Sequence, residues 1–155
     1  MLLAIVVHFN GGKAVVDRTP DGTQHVVIED ARGNIRSDSY CDATTGTYDH
    51  IARFGGELAS AAAHGDRKGL VSLVQFPLRV NVSAADGTVK MSYVRDERSL
   101  MARFASIFTT SVLGQLARLE PHDVFCRNGM STIGSGMIWA AADRSGDVRM
   151  SVINR

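Results

Sequence analysis

Residues 76–82, Phe-Pro-Leu-Arg-Val-Asn-Val, decide the fold, because the spacing of apolar residues here changes from helical to alternating. Every second residue of this segment is apolar, which predicts a strand with one buried face, and Arg79 lies on the opposite face. Pro77 has no backbone N–H, so we expect this strand to lie at a sheet edge or to begin there. The turn Asp86-Gly87 and the alternating apolar residues of segment 89–93 predict a second, antiparallel strand.

Two helical segments precede this hairpin and a third follows it. Apolar residues at helical spacing predict a helix that begins at the N-cap Thr47 and ends at His64-Gly65. Asp66 is expected to cap a short second helix. The third helix begins at Asp96 or Ser99, bends near Thr109-Thr110 and stops before a proline. Further turn signals predict a C-terminal antiparallel meander, so the sequence indicates an α+β fold in which a curved antiparallel sheet packs on three helices.

The N-terminal segment is predicted to be entirely β. Asn10-Gly11-Gly12, between two apolar stretches, is a strong hairpin signal, and later turn sequences separate further short strands. The turn-rich segment 42–46 marks a boundary. We therefore expect an N-terminal β extension with a hairpin over residues 1–46 and an α+β domain over residues 47–155.

Composition excludes several classes of protein. The chain has 155 residues, 45% of them hydrophobic, and a formal net charge of +1, which is typical of a soluble globular domain. The absence of a clustered basic stripe argues against nucleic-acid binding. The longest apolar run, Leu2–Val7, is far shorter than the roughly 20 residues that span a bilayer. It is interpreted as an opening strand rather than a signal peptide, because no basic residues precede it.

Cys41 and Cys126 leave two alternatives open. They are either two independent buried thiols or one disulfide that joins the N-terminal segment to the C-terminal sheet. The protein is expected to be cytoplasmic in the first case and periplasmic or secreted in the second. Two cysteines and five scattered histidines have no metal-ligand spacing, so no metal and no cofactor are predicted. His122-Asp123 is interpreted as a surface or capping pair.

From Thr47 onward the chain resembles the nuclear transport factor 2-like superfamily, which includes ketosteroid isomerase and the SnoaL-type polyketide cyclases. Four segments carry the resemblance: Ala61–Leu70, Phe76–Asn81, Arg98–Phe104 and Gly136–Trp139. The resemblance implies a cone-shaped α+β fold that encloses a pocket or pairs into a dimer. Residues 1–46 have no counterpart in it.

The resemblance also bears on catalysis. In ketosteroid isomerase-like members a carboxylate near the end of the first strand acts as the general base. The nearest positions here are Asn81, Val82 and Ser83, and none of them accepts a proton at neutral pH. We therefore predict no catalytic residue.

Four side chains are candidates for binding a ligand. Tyr48, Tyr93 and Trp139 combine an aromatic body with a polar tip, and in a cone they are placed to line a cavity. Arg79 is the candidate anchor for an anionic ligand. The alternatives are that the aromatics pack in the core and that the arginine is a solvated surface residue.

These observations predict a non-catalytic binding or assembly module that holds a small apolar or amphipathic molecule and forms a homodimer through the outer face of its sheet. One alternative is an enzyme of the SnoaL or ketosteroid isomerase kind that performs proton transfer, hydration or cyclisation. An acidic residue or a histidine beside Tyr48 or Trp139, facing open volume, would favour it. Another alternative is a secreted or periplasmic protein-interaction module.

Overall fold

The computed structural model describes residues 4–155 and divides them into a four-stranded sheet, five helices and a six-stranded sheet. The first sheet contains β1 (Ile5–Phe9), β2 (Gly12–Arg18), β3 (Gln24–Asp30) and β4 (Ile35–Cys41). The helices are α1 (Tyr48–Ala63), α2 (Arg67–Ser72), α3 (Glu97–Ala102), α4 (Phe104–Ile107) and α5 (Thr110–Ala117). The second sheet contains β5 (Val74–Ser83), β6 (Val89–Val94), β7 (Val124–Arg127), β8 (Met130–Ile133), β9 (Ile138–Ala142) and β10 (Val148–Asn154). The predicted α+β class is confirmed.

The N-terminal sheet contains the predicted hairpin and the further short strands that were expected after it. β1 to β4 pair in chain order, and every pair is antiparallel. Its buried residues belong to the same hydrophobic cluster as those of the helices and of the six-stranded sheet: Ala14, Val16, Val26, Ile28 and Cys41. The packed core is therefore continuous across position 46. Leu2 and Leu3, which were predicted to begin the first strand, lie outside the described residues.

The start of α1 depends on a residue from the other sheet. Thr47 occupies the N-cap position as predicted, but its hydroxyl makes no capping hydrogen bond. The backbone N–H of Tyr48 instead donates to Gln24 Oε1 of β3, with a nitrogen–oxygen distance of 2.6 Å. A helix leaves its first N–H groups without intrahelical partners, so a buried acceptor here satisfies a group that water cannot reach. Gln24 thereby couples the N-terminal sheet to the longest helix.

A glycine allows α1 to approach the six-stranded sheet closely. A methyl group placed on Gly55 would lie 2.5 Å from Ile133 Cδ1 of β8 and 3.2 Å from Pro121 Cα. Both distances are shorter than carbon–carbon contact, and one of them is to rigid backbone. The glycine therefore sets how closely the helix packs, although it lowers intrinsic helix propensity.

The predicted third helix is three short helices, so the expectation of three helices in total was wrong. Asp96 caps α3 by accepting from the N–H of Ser99, and α3 ends at Ala102 with Arg103 as its C-cap. The predicted break near Thr109 is confirmed, because the hydroxyl of Thr109 caps α5 by accepting from Val112 N–H. Apolar spacing continues through both breaks, which is why the sequence pattern resembles one helix.

The six-stranded sheet is mixed, whereas an antiparallel sheet was predicted. Its strand order is β6-β5-β10-β9-β8-β7; β5 and β10 run parallel, and the other neighbouring strands are antiparallel. A parallel pair requires a long crossover, and the chain between β5 and β10, which includes three helices, supplies one. Alternating apolar residues look the same in both directions of pairing, so the sequence pattern cannot distinguish them. The sheet does not close into a barrel, and a cone-like shape is not established.

β5 is an interior strand and begins at Val74, so the expectation that it lies at a sheet edge or begins at Pro77 was wrong. The strand pairs on both sides from Arg79 to Asn81, with β10 and with β6. Pro77 lies before this doubly paired segment and after the contact of Val74 with β10. A proline is tolerated here because no ladder hydrogen bond requires its missing N–H.

We call the face of the six-stranded sheet that packs against the helices the inner face, and the opposite one the outer face. Large apolar side chains of the inner face and of α1 are completely or almost completely buried in one cluster. They include Ile51, Leu58, Leu78, Ile138, Met150 and Ile153. These side chains occupy the region in which a pocket was predicted.

Candidate functional site

One row of side chains crosses the whole outer face. Strand register aligns one residue of each strand, from β7 to β6, and successive partners point to the same side of the sheet. We call these residues the outer row: Phe125, Thr132, Trp139, Val152, Arg79 and Tyr93. Three of the four predicted ligand-binding residues, Arg79, Tyr93 and Trp139, therefore lie on one line across the sheet.

A shallow groove lies over the middle of this row. It has a volume of about 260 Å³ and opens to solvent. We call it the outer groove; it is lined by Arg79, Asn81, Arg127, Asn128, Met130, Trp139, Val152 and Asn154. It combines an indole ring and two apolar side chains with two guanidinium groups and three amides. None of its lining residues carries a carboxyl group.

A chain of hydrogen bonds holds one arginine in the outer groove. Arg79 Nε donates to Asn81 Oδ1 at 3.1 Å, and Asn81 Nδ2 donates to Asn154 Oδ1 at 2.9 Å. Asn154 Nδ2 then donates to the carbonyl oxygen of Gly136, also at 2.9 Å. Because Asn81 is only 9% exposed, its amide cannot exchange these partners freely with water. The network holds the Nε of the guanidinium in place, and the two terminal nitrogens have no hydrogen-bond partner within residues 4–155.

The positive charge of the outer groove is not neutralised locally. Within residues 4–155, neither Arg79 nor Arg127 forms a salt bridge, whereas Arg36 and Arg149 both contact aspartates. An arginine that forms no salt bridge and is held beside apolar surface is suited to an anion that carries an apolar group.

The edge of the outer face next to the groove exposes apolar side chains. On β6, Val89 is 60% exposed, Met91 is 53% exposed and Tyr93 is 52% exposed. Met91 pairs with Asn81 and Tyr93 pairs with Arg79, so this strip is continuous with the polar end of the groove. Contiguous exposed apolar side chains are typical of surfaces that bind another molecule.

Tyr48, the fourth predicted residue, lies away from the outer groove. It is buried in α1, and its hydroxyl is 3.1 Å from His122 Nδ1. The ring of His122 stacks on both Tyr48 and Phe9, with centroid distances of 6.2 Å in each case. The backbone N–H of His122 donates to Glu120 Oε1. This cluster joins α1, the N-terminal sheet and the loop after α5.

The surroundings of Tyr48 act on the ionisation of its hydroxyl group. Burial, and secondarily the negative charge of Glu120, raises the pKa of Tyr48, so its hydroxyl stays protonated. Neither Tyr48 nor His122 lines the outer groove or the grooves beside α1 and at the turns of the second sheet. A histidine therefore lies beside Tyr48, and neither side chain lines any of these five grooves.

The two cysteines form a disulfide between Cys41 of β4 and Cys126 of β7. This finding decides between the two alternatives that the sequence left open. Ser39 Oγ, two residues before Cys41, accepts a hydrogen bond from the backbone N–H of Cys126 at 3.1 Å. Arg36 adds an ion pair to Asp123 just before β7. Strand β4 thus packs along the β7 edge of the six-stranded sheet, whereas no strand within residues 4–155 pairs with the outer edge of β6.

The described residues contain neither a cluster of metal ligands nor a helix that could span a membrane. No group of three or more histidine, cysteine, aspartate or glutamate side chains within residues 4–155 is arranged to hold a metal ion. No helix in that part of the chain has the length and apolar character needed to cross a membrane.

The sequence reasoning missed most of the outer groove. Asn81 was considered only as the position of a missing catalytic base, and Arg127, Met130 and Asn154 were not singled out. Asn81 lies two residues after Arg79 in β5, and this spacing placed both side chains on one face of the strand. No comparable signal connects Arg127 or Asn154 with them, because strand order decides which distant strands lie side by side.

Comparison with known proteins adds no relative. No protein-family model, no curated protein and no solved structure matches this chain. The resemblance to the nuclear transport factor 2-like superfamily therefore stays a prediction.

Proposed function

We propose that this chain is a non-catalytic binding module of an oxidising compartment and that its binding surface is the outer face of the six-stranded sheet. The observation that carries the proposal is the outer row, in which Trp139, Arg79 and Tyr93 share one solvent-facing line. Aromatic and arginine side chains contribute most of the binding energy at many recognition surfaces.

The composition of the outer groove supports this surface over the packed interior. The inner face is occupied by buried apolar side chains such as Leu78 and Ile138. On the outer face, by contrast, the groove exposes an indole and two guanidinium groups to solvent. Ligand sites usually combine apolar walls with a few convergent polar groups, and the outer groove has that composition.

The disulfide supports the proposed compartment. Disulfides persist in secreted and periplasmic proteins and are reduced in most cytosols. Cys41 is fully buried and Cys126 is 5% exposed, so the bond is protected from reductants once the chain has folded. We propose that the protein works in the periplasm or outside the cell.

An unbiased experiment locates the binding surface. A library of small neutral, anionic and cationic fragments is added to ¹⁵N-labelled full-length protein, and amide shift changes are mapped by NMR. We expect the fragments that bind to shift amides around Arg79, Trp139 and Val152. Fragments that shift only interior amides near Tyr48, or a library with no binders, would refute the proposed surface.

The enzyme alternative has one observation in its favour, which is the contact between the Tyr48 hydroxyl and His122 Nδ1. If this pair transfers protons, His122 is the base, and the fragment library must contain molecules that reach it. Shift changes confined to amides near His122 would therefore favour the enzyme. In that case His122→Ala must abolish turnover of the bound compound's class without unfolding the protein.

We also propose that the apolar strip of β6 mediates self-association into a homodimer. Val89, Met91 and Tyr93 lie at the open edge of the sheet, beside the outer groove rather than over its centre. Sedimentation velocity over a range of protein concentrations tests this directly. A dimer that Met91→Glu converts to a monomer supports the proposal, and a wild-type protein that stays monomeric at every concentration contradicts it.

A further inference from the structure

We infer that the outer groove binds a small organic anion, namely a carboxylate attached to a flat apolar group. This inference deepens the proposed function and rests on it, because it names the chemistry of the ligand for the same surface. Three features support this inference. They are the unpartnered terminal nitrogens of Arg79 within residues 4–155, the amides that hold this arginine, and the apolar wall beside it.

Arg79 provides the anion contact. Its Nε is bound to Asn81 Oδ1, whereas no hydrogen bond or salt bridge within residues 4–155 engages its two terminal nitrogens. A guanidinium presents parallel N–H groups that match the two oxygens of a carboxylate. Arg127 lines the same groove and adds a second positive charge. The groove therefore attracts an anion and offers it a bidentate partner.

The amides of Asn81 and Asn154 hold Arg79 in place. Asn81 is buried, and both of its side-chain polar atoms are used, one towards Arg79 and one towards Asn154. The network ends on a backbone carbonyl, so it is anchored to the sheet itself. A guanidinium with a fixed base loses less side-chain entropy on binding than a free surface arginine does. A buried network behind an otherwise unpartnered arginine is thus a prepared binding feature.

The apolar wall and the volume limit the rest of the ligand. Trp139, Met130 and Val152 lie in the groove on the side away from β6. An indole favours contact with another flat ring, and a thioether packs well against ring edges. The volume of about 260 Å³ is smaller than that of a typical drug-sized site. One ring or a short apolar chain with a single charged end fits these limits.

The chain contains one tryptophan, and it lies in this groove, so Trp139 fluorescence is a built-in reporter. Phenylacetate is the probe, since it combines a ring with a carboxylate and does not absorb where tryptophan is excited. Phenylacetamide has the same shape without the charge, acetate has the charge without the ring, and inorganic phosphate is a different anion. We expect phenylacetate to change the emission saturably with a Kd of about 1 mM or lower, and each control to bind at least about tenfold more weakly.

Variants test the role of Arg79 itself. Arg79→Gln removes the charge and is expected to weaken phenylacetate binding by about tenfold or more. Arg79→Lys keeps the charge but not the two parallel N–H groups of the guanidinium, and we expect intermediate binding. Arg98→Gln changes an exposed arginine of α3, outside the groove, and serves as the matched control with unchanged binding. Circular dichroism confirms that each variant is folded.

Several results would overturn the inference. Equal binding of phenylacetate and phenylacetamide would show that the groove does not require a negative charge. Equal binding of phenylacetate, acetate and phosphate would show that it does not require an apolar group. Equal weakening by Arg79→Gln and Arg98→Gln would mean that overall charge, rather than the groove, attracts the probe. If the neutral fragments in the NMR experiment still map to the outer face, the proposed surface survives these failures. If no fragment maps there, the proposed function fails as well.

Discussion

The two faces of the six-stranded sheet are built from alternate residues of the same strands, yet they differ in almost every physical respect. In β5 the inner residues Leu78 and Val80 are buried, whereas Arg79, between them, is exposed. On the inner face the buried polar atom Ser131 Oγ donates to the carbonyl oxygen of Ala140. On the outer face the terminal nitrogens of Arg79 have no such partner within the described residues.

This difference separates stability from recognition. Burial of apolar area and internal satisfaction of polar groups stabilise the inner face, so changes there must cost free energy of unfolding. The outer face keeps polar capacity and apolar surface available to solvent, so changes there should alter binding and leave stability nearly unchanged. The contrast is testable because neighbouring residues of one strand act as controls for each other.

The largest expected effect comes from the disulfide, which joins β4 of the N-terminal sheet to β7 of the six-stranded sheet. Replacing Cys41 and Cys126 together by alanine should lower the free energy of unfolding by about 4 kcal/mol, because the bond closes a long loop of the unfolded chain. The sequence separation is 85 residues. Urea titration measures the loss. Wild-type protein whose disulfide has been reduced should show the same loss in the same titration. A loss below about 1 kcal/mol would contradict the entropic argument.

The next effect compares two adjacent residues of β5. Leu78→Ala should destabilise the protein by about 3 kcal/mol, because it opens a cavity at a fully buried position. Arg79→Ala should cost only about 1 kcal/mol, because it opens no cavity but leaves the buried Asn81 Oδ1 without its donor. Both are measured by the urea midpoint. Comparable losses in the two variants would mean that the faces are not energetically distinct.

A smaller effect tests the cap that joins the two sheets. Gln24→Ala removes the acceptor of the Tyr48 N–H and should cost about 1–2 kcal/mol, because the donor is then left unsatisfied in a buried place. Thr47→Ala, at the N-cap itself, should cost less than about 0.5 kcal/mol, since its hydroxyl makes no capping bond. Thermal unfolding of both variants provides the measurement. The reverse order of the two losses would refute this assignment of the cap.

The smallest stability effect is expected at the exposed strip of β6. Met91→Ser should leave the free energy of unfolding unchanged within about 0.5 kcal/mol, because the side chain is more than half exposed. The same substitution should weaken any concentration-dependent self-association seen by sedimentation. A destabilised Met91→Ser protein would show that this strip packs against the rest of the chain.

Local signals in the sequence predicted much of the fold. The turn at Asn10-Gly11, the cap at Asp66 and the break near Thr109 all depend on neighbours within a few residues, and the structure has them where the pattern placed them. The prediction failed where distant strands meet. Neither the parallel pairing of β5 with β10 nor the interior position of Pro77 leaves a trace in local spacing.

The candidate site follows the same division. The sequence identified Arg79, Tyr93 and Trp139 because an aromatic ring or a guanidinium on a strand face is informative by itself. It also grouped Tyr48 with them, although α1 carries that side chain to the opposite side of the sheet. Arg127 and Asn154 were not found, because they become neighbours of Arg79 only through strand order.

By itself, the amino-acid sequence determined the α+β class, the positions of most helices and strands, and which residues of β5 share a face, because these depend on periodicity and on short-range hydrogen bonds. Only the tertiary structure decided that the cysteines form a disulfide, that Gln24 caps α1 and that six strands align one row of side chains across the outer face. Those features require residues far apart in the chain to meet, and contacts of that kind are fixed by the packing of the whole molecule.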